Sequence, residues 1–310
     1  MQLALRLTRI RSAHLFAAAV LIWGTTWHAI VYQLGHSTPE FGVTLRFALA
    51  GAAVLAYAAW RGDRLRLSAR EHALLALQGS FMFSLSYLCI YHAERHVPSG
   101  LVAVAYSASP LLAGLGAWAL WRTPITPRFI AGGLCGLAGV AVIFWPEIAG
   151  ASQRPGAALG LAFAVGSVLL SAVGALSAMR NARLGLPFWV CLGWALLYGA
   201  ALCALVLLAS GQALSLPTAP SWWLSLAYLS LAGTVVAVAA FLTLQQRLGP
   251  GKAASVGVMT PVVALAVSTA FEGYRPGWMT LAGAALAVSG NLLMLRRDAP
   301  VVTADATAAG

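Results

Sequence analysis

Long apolar stretches alternate along the chain with short segments rich in glycine, proline and arginine. A membrane-spanning helix needs about 20 mostly apolar residues, and glycine and proline commonly mark the turns between helices. The pattern therefore predicts an all-α integral membrane protein with ten transmembrane helices. The predicted spans are approximately Ala13–Leu34, Phe41–Trp60, Glu71–Tyr91, Val97–Trp121, Phe129–Trp145, Gly156–Met179, Pro187–Ser210, Trp222–Gln246, Gly251–Glu272 and Trp278–Leu295.

Composition supports a membrane location and argues against nucleic-acid binding. The 310 residues are 60% hydrophobic and only 9% charged, with a net charge of +11. A soluble domain has a far larger share of charged residues. A surface that binds phosphates needs clustered lysine and arginine, whereas here the basic residues recur at intervals between apolar runs. We therefore predict contact with membrane lipid and no nucleic-acid partner.

The basic residues also predict an orientation. Fifteen of them fall in the terminal segments and loops of one side, and the other side carries only Arg95, Arg154 and Arg275. Cytoplasmic loops hold the excess of lysine and arginine. Both termini are therefore predicted to be cytoplasmic.

The chain resembles itself at one offset. Pro110 and Pro261 differ by 151 residues, as do several pairs of glycines, and Pro39 and Pro187 differ by 148. Each half then holds five spans, and an odd number inverts the second half relative to the first. Inverted repeats are typical of transporters, with a substrate site near the membrane midplane. The alternative is a duplicated helical bundle with no role in transport.

This pattern predicts four parts of the chain. Residues 1–145 form a first five-helix repeat, and residues 146–155 form an extracytoplasmic linker. Residues 156–296 form a second five-helix repeat. Residues 297–310 are small and polar and are predicted to be a disordered tail.

Several motifs resemble the drug/metabolite transporter superfamily, and specifically its EamA repeats. They are the first-span segment 21–27 (LIWGTTW), Pro39–Glu40 followed by 45–47 (LRF), the stretch from Tyr91 through Pro98 to Pro110, and the stretch from Gln245 through Pro261 to Glu272. The resemblance implies ten helices, a multi-pass protein of the cell inner membrane, a small-molecule substrate and no cofactor. Within the superfamily the chain looks most similar to aromatic amino-acid exporters of the YddG type. Whether the protein is a monomer or a homodimer stays open.

Two charged residues break the symmetry of the halves. Trp194 corresponds to Arg46, and Trp121 corresponds to Glu272. Arg46 lies about eight residues from the outer end of its span, or roughly 12 Å deep. A charge at that depth marks a functional site by default, so Arg46 pairs with a substrate carboxylate or holds helix-end carbonyls, Glu40 or Glu272. Glu94 and Glu272 are expected to reach water at outer helix ends.

Pro110 and Pro261 lie inside spans and free the carbonyls of Tyr106 and Gly257, because proline cannot donate a backbone hydrogen bond. Matched kinks in inverted halves suit a gating hinge or a midplane site, and the alternative is a kink that serves packing. By contrast, the glycines of the fifth and tenth spans predict close helix packing alone.

The predicted substrate-binding residues line a central cavity. Trp23, Thr26 and Trp27 share one helix face, which combines aromatic surface with a hydroxyl and suits an amino acid. Packing in the core or against lipid is the alternative for the aromatic residues, and hydrogen bonding to a carbonyl is the alternative for His28. The full predicted set is Trp23, Thr26, Trp27, His28, Tyr87, Tyr106 and Met259.

The sequence thus predicts an alternating-access exporter of amino acids or related amphipathic metabolites. The second candidate is a drug or nucleotide-sugar carrier, although nucleotide sugars call for several interior basic residues. A membrane enzyme is the non-transport alternative, and no catalytic motif supports it. His92 and His96 share a helix face, but they do not form the His-Glu-x-x-His zinc motif. Energy coupling stays open.

Overall fold

The computed structural model describes residues 11–149, 156–211, 216–248 and 253–295, with side chains omitted at 147–149. These residues form helices and no strand. Of the helices described, nine are long and apolar enough to span a membrane, and a tenth apolar helix, Ser255–Phe271, is shorter, so the all-α ten-helix prediction is confirmed. The helices are α1 (Ser12–Leu34), α2 (Pro39–Trp60), α3 (Ala69–Glu94), α4 (Ser99–Trp121), α5 (Pro127–Ala149), α6 (Ala157–Ala182), α7 (Phe188–Ala209), α8 (Pro220–Leu248), α9 (Ser255–Phe271) and α10 (Trp278–Leu295).

Most of the predicted linker and the whole of the predicted tail lie outside the described residues. The boundaries at 145, 155 and 296 and the cytoplasmic placement of both termini therefore stay predictions. "Outer" below means the end of the bundle that holds Glu40, Glu94 and Glu272, which the arginine distribution predicts to be extracytoplasmic.

Helix starts follow local chemistry. Thr38 accepts a hydrogen bond from the backbone of Phe41, and Pro39 occupies the first position of α2, where its missing N–H leaves no extra group unsatisfied. Ser68 and Glu71 form a reciprocal capping box at the start of α3, which satisfies two free donors. With this capping box α3 starts at Ala69, two residues before the predicted start at Glu71.

Helix contacts follow the expected inverted repeat. The fifth and tenth helices pack against each other, as do the second and seventh. Helix α1 contacts α8 and α9, while α6 contacts α3 and α4. Exchanging every helix with its counterpart five places along the chain converts one set of contacts into the other. This is the packing that two inverted five-helix repeats produce.

The third and eighth helices share a feature that the sequence did not predict. Each contains a π-helical segment, Ser80–Leu85 in α3 and Tyr228–Val236 in α8. The two segments start 148 residues apart and end 151 residues apart, since 228 − 80 = 148 and 236 − 85 = 151. In α8 the Thr234 hydroxyl donates to the Leu229 carbonyl five residues earlier, so this side chain satisfies one backbone acceptor of the wider turn. Such segments are frequent at functional sites.

The two membrane prolines do not form matched kinks. The first part of α4 ends at Tyr106, and a new helix begins at Ser109, so Pro110 lies in a first turn, where a missing N–H costs little. Pro261 instead lies inside the continuous helix α9. The prediction of symmetrical kinks is therefore wrong, because α4 breaks just before its proline and α9 does not. A gating role for either proline stays a prediction.

The predicted small-residue seam between α5 and α10 is confirmed. A Cβ atom added to Gly139 would lie 2.5 Å from the Gly283 carbonyl oxygen, and one added to Gly132 would lie 2.5 Å from that of Gly290. The backbones approach this closely because neither helix has a side chain at the contact.

Substitution of Gly139 by alanine should lower the free energy of unfolding by about 1–3 kcal/mol through overpacking. Gly136→Ala is the matched control, because a Cβ atom at Gly136 meets nothing within 4 Å. Thermal unfolding of the purified variants in detergent measures the difference. Equal melting temperatures for both variants would contradict the assigned contact.

Candidate functional site

Five helices bring polar and aromatic side chains together in the interior. This interior group consists of Trp27, Arg46, Tyr87, Tyr106 and Ser171. The rings of Trp27 and Tyr106 lie 5.5 Å apart, and the guanidinium carbon of Arg46 lies 4.9 Å from the centre of the Tyr87 ring. Tyr87 and Arg46 are within electrostatic range of Tyr106. Two predicted substrate-binding residues, Tyr87 and Tyr106, are therefore near the interior arginine, and a third, Trp27, contacts Tyr106.

Arg46 is buried, with only 3% of its surface exposed. Its guanidinium also lies 5.2 Å from the centre of the Phe47 ring, so two aromatic residues flank the charge. The Nε and Nη1 atoms have no hydrogen-bond partner. A buried guanidinium with free donors is costly unless something pairs with it, and its planar fork matches a carboxylate.

The acidic partners expected for Arg46 are occupied elsewhere. Glu40 lies 3.1 Å from His92, and Glu272 lies 3.0 Å from His28. Among the described residues, no ion pair includes Arg46. The expectation that Glu40 or Glu272 neutralises this arginine is therefore wrong, because a histidine is closer to each carboxylate.

Tyr106 of α4 contacts α6 through Ser171. Its hydroxyl lies 2.6 Å from the Ser171 hydroxyl, and Ser109 donates to the same Ser171 oxygen at 3.2 Å. Trp27, Tyr87 and Tyr106 are only partly buried, although the hydrophobic core surrounds them. Side chains that line a binding cavity are partly exposed in this way.

A second set of polar residues lies toward the outer end, next to Arg46. The Tyr91 hydroxyl donates to Gln33 Oε1 at 2.9 Å, and Gln33 Nε2 has no partner. Glu94 is only 9% exposed, and neither carboxylate oxygen has a hydrogen-bond partner. The expectation that Glu94 reaches water is wrong, because the helix ends around it close over its side chain.

Sequence reasoning missed Gln33, Tyr91 and Glu94 as site candidates. Tyr87, Tyr91 and Glu94 are spaced i, i+4, i+7 and therefore share one face of α3. That spacing was visible in the sequence. It was not used because the position of Glu94 at a helix end suggested exposure.

Glu272 organises the outer end of the bundle. Its carboxylate accepts hydrogen bonds from the backbone and hydroxyl of Ser99 and from the hydroxyl of Ser268, and it contacts His28. Only 11% of its side chain is exposed, so it reaches water at a small part of its surface. Burial raises the pKa of Glu272, but the hydrogen bonds from Ser99, His28 and Ser268 outweigh burial and lower it overall.

The lowered pKa predicts a pH dependence of stability. A carboxylate with a lowered pKa in the folded state stabilises the fold above its unfolded pKa, here about 4.5, and loses this contribution as pH falls through the folded value. We expect Glu272→Gln to lower the melting temperature at neutral pH, and the difference from the unmodified protein to shrink below about pH 4. Thermal unfolding across this range tests the prediction, and a difference independent of pH would contradict it.

The remaining predicted residues lie apart from the interior group. Trp23 donates to the Gly233 carbonyl of α8 at 3.0 Å, and the Thr26 hydroxyl donates to the Trp23 carbonyl at 2.7 Å. His28 faces Glu272, and Met259 is 39% exposed. The predicted face of Trp23, Thr26 and Trp27 is thus divided between contacts with α4 and α8. Substrate contact by these four residues stays a prediction.

The histidines of the predicted outer end hold no metal-ligand cluster. His92 is stacked on Phe163 with ring centres 5.1 Å apart and contacts Glu40. Within the described ranges, no group of three His, Cys, Asp or Glu side chains could hold a metal ion.

Comparisons with known proteins agree with this architecture. The model of the EamA-like transporter family matches residues 11–145 and 158–296. The uncharacterized inner membrane transporter YedA of Escherichia coli strain K12 is 26% identical over 259 residues, which cover 83% of this chain and 81% of YedA. The uncharacterized transporter YvbV of Bacillus subtilis strain 168 is 26% identical over 160 residues, or 52% of each chain. One solved crystal structure matches 91% of this chain and 96% of its own, with a TM-score of 0.65 and 22% identity.

Proposed function

The chain belongs to the EamA-like transporter family, and from this premise we propose that it exports amphipathic amino acids, including aromatic ones, across the bacterial inner membrane by alternating access. Family membership makes it a multi-pass membrane transporter. The substrate class, the direction and the inner-membrane location belong to the proposal. The inner-membrane location follows the printed description of the relative YedA.

One observation carries the substrate assignment: the buried guanidinium of Arg46 has free donors and aromatic neighbours. Free guanidinium donors suit a carboxylate, because a hydrogen bond between two charged groups is stronger than one between neutral groups. The carboxylate is common to all amino acids, so this contact recognises the class rather than one member.

Aromatic rings next to Arg46 supply a surface for an apolar side chain. Phe47 and Tyr87 meet edge to face at 4.7 Å, and Phe83 lies 5.4 Å from Phe47. Such rings add favourable contacts for flat or apolar groups. An amphipathic amino acid therefore matches both features, with its carboxylate at Arg46 and its side chain toward the rings.

Contacts at the outer end suit a closed gate. Glu272 joins the start of α4 through Ser99 and the first helix through His28. Alternating access needs such contacts to form on one side while the other side opens. In our proposal, the substrate reaches the interior group from the cytoplasm in this conformation.

The second candidate, a drug or nucleotide-sugar carrier of the same superfamily, has weaker support. A diphosphate needs several cationic side chains, and Arg46 is the sole arginine or lysine of the described residues that is buried. The proposal of a membrane enzyme has no supporting observation in the family match or in the names of the relatives.

A binding panel tests the proposal on the detergent-purified protein. Phenylalanine, phenylpropionate, phenethylamine and a nucleotide sugar are compared by thermal stabilisation, since a ligand that binds the folded state raises the melting temperature. We expect phenylalanine to stabilise most, phenylpropionate less, and the other two least. Stabilisation by the nucleotide sugar alone would favour the second candidate and contradict the amino-acid proposal.

A further inference from the structure

We propose that Glu94 is the coupling site of the transporter, at which the ammonium group of the substrate and a proton compete for one carboxylate. The inference rests on the proposed function, because it assigns the second charged contact of an amino acid. It also answers the question of energy coupling, which the sequence left open.

Glu94 is buried and its carboxylate has no hydrogen-bond partner. Its side chain is 91% buried, and neither Oε1 nor Oε2 has a hydrogen-bond partner. A buried ionised carboxylate without partners is far more costly than a protonated one. The empty site therefore holds a proton on Glu94, and an arriving cation replaces it.

Two charged residues from other helices act on Glu94. Arg46 from α2 and Glu272 from the end of α9 are within electrostatic range of its carboxylate. Two histidines contact the other outer-end carboxylates: His28 of α1 faces Glu272, and His92 of α3 faces Glu40. Glu94 is therefore the outer-end carboxylate of the described residues that has neither a histidine nor a hydroxyl partner.

The positions of Arg46 and Glu94 match a zwitterion. Tyr91 lies within electrostatic range of both residues, and Glu94 follows it by three positions on α3, an axial rise of about 4.5 Å. The two charges are close but form no ion pair within 4.0 Å. An amino acid held between them satisfies both, with its carboxylate at Arg46 and its ammonium group at Glu94.

The exchange involves no covalent step. When the substrate binds from the cytoplasm, its ammonium group takes the place of the proton, which leaves to that side. After the substrate is released on the other side, Glu94 takes up a proton there and the empty transporter returns. Each cycle moves one amino acid outward and one proton inward.

Proteoliposomes test the exchange with labelled phenylalanine as the probe. The membrane potential is held at zero with equal potassium and valinomycin on both sides, because each cycle moves one net charge. With a lumen more acidic than the medium, the unmodified protein should then accumulate phenylalanine about tenfold for each pH unit, since one unit for one proton is a factor of ten. Glu94→Gln should lose the accumulation, and any exchange of internal for external phenylalanine that it retains should no longer depend on pH. Glu71→Gln is the matched control on the same helix, because glutamine also serves at that capping-box position.

The outcomes separate the two proposals. Accumulation by Glu94→Gln at the unmodified level, or exchange by the unmodified protein that ignores the pH gradient, overturns the coupling role while leaving amino-acid transport intact. No exchange by the unmodified protein overturns the proposed function itself. If Glu94→Gln does not fold or does not exchange, proton release decides: phenylalanine binding to the unmodified protein, measured by calorimetry in two buffers of different ionisation enthalpy, should release close to one proton. Binding without proton release overturns the inference.

Discussion

Substitution of Arg46 by glutamine should reduce phenylalanine transport about 100-fold or more. A charge-assisted hydrogen bond contributes about 1.5–3 kcal/mol, and each 1.4 kcal/mol is a factor of ten. Loss of two such bonds to the substrate carboxylate therefore lowers transport by about 100-fold or more. Arg46→Lys should retain part of the activity, because it keeps the charge and loses the planar fork. Initial uptake into proteoliposomes measures the effect.

The matched control for this change is Arg61→Gln. Arg61 is 41% exposed and lies 3.6 Å from Asp63 at the opposite end of α2, where an ion pair contributes little. Removal of a buried unpaired charge relieves a desolvation cost, so Arg46→Gln should fold at least as well as the unmodified protein. A well-folded Arg46→Gln variant that transports at the unmodified rate would show that Arg46 does not contact the substrate.

Substitution of Tyr106 by alanine should reduce transport about tenfold, since an aromatic contact contributes about 0.5–1.5 kcal/mol beyond its buried area. The change removes the ring that faces Trp27 and the hydroxyl that contacts Ser171. Uptake of labelled phenylalanine is the measurement. We expect a rise in KM, because the lost contact binds the substrate and does not drive the conformational change.

Tyr198→Ala provides the matched control for Tyr106→Ala. Tyr198 is also partly buried and also has one side-chain partner, His72 at 3.0 Å, but it lies outside the interior group. Tyr106→Phe separates the ring from the hydroxyl and should keep most of the activity. An equal loss for Tyr198→Ala and Tyr106→Ala would mean that general packing, and not a binding contact, explains the effect.

The sequence predicted the helices well because length and apolarity decide which segments can cross a membrane. It also identified the inverted repeat and the seam at Gly139 and Gly283, which depend on residue types at fixed spacing. It did not predict the π-helical segments in α3 and α8. A wider turn depends on how neighbouring helices pack against it, and the sequence of one helix does not carry that information.

The site was predicted only in part. Aromatic residues in apolar spans are conspicuous, and three of those predicted to bind substrate, Trp27, Tyr87 and Tyr106, lie together in the interior group; substrate contact by them stays a prediction. Trp23 shares the predicted face of α1 with Trp27, yet Trp23 donates to Gly233 of α8 while Trp27 contacts Tyr106 of α4. One helix face meets several neighbours in a ten-helix bundle. Partner choice among charged residues depends on distances between helices, and helical spacing does not give those distances.

Counterflow through the unmodified protein tests the central claim most directly. Proteoliposomes loaded with unlabelled phenylalanine are diluted into a trace of labelled phenylalanine at equal pH on both sides. A transporter of this substrate should accumulate label transiently above the external level, because exchange through one site couples the two flows, whereas phenethylamine in the lumen should not support accumulation. Label uptake no greater than in protein-free liposomes would contradict the claim that the interior group around Arg46 carries amino acids.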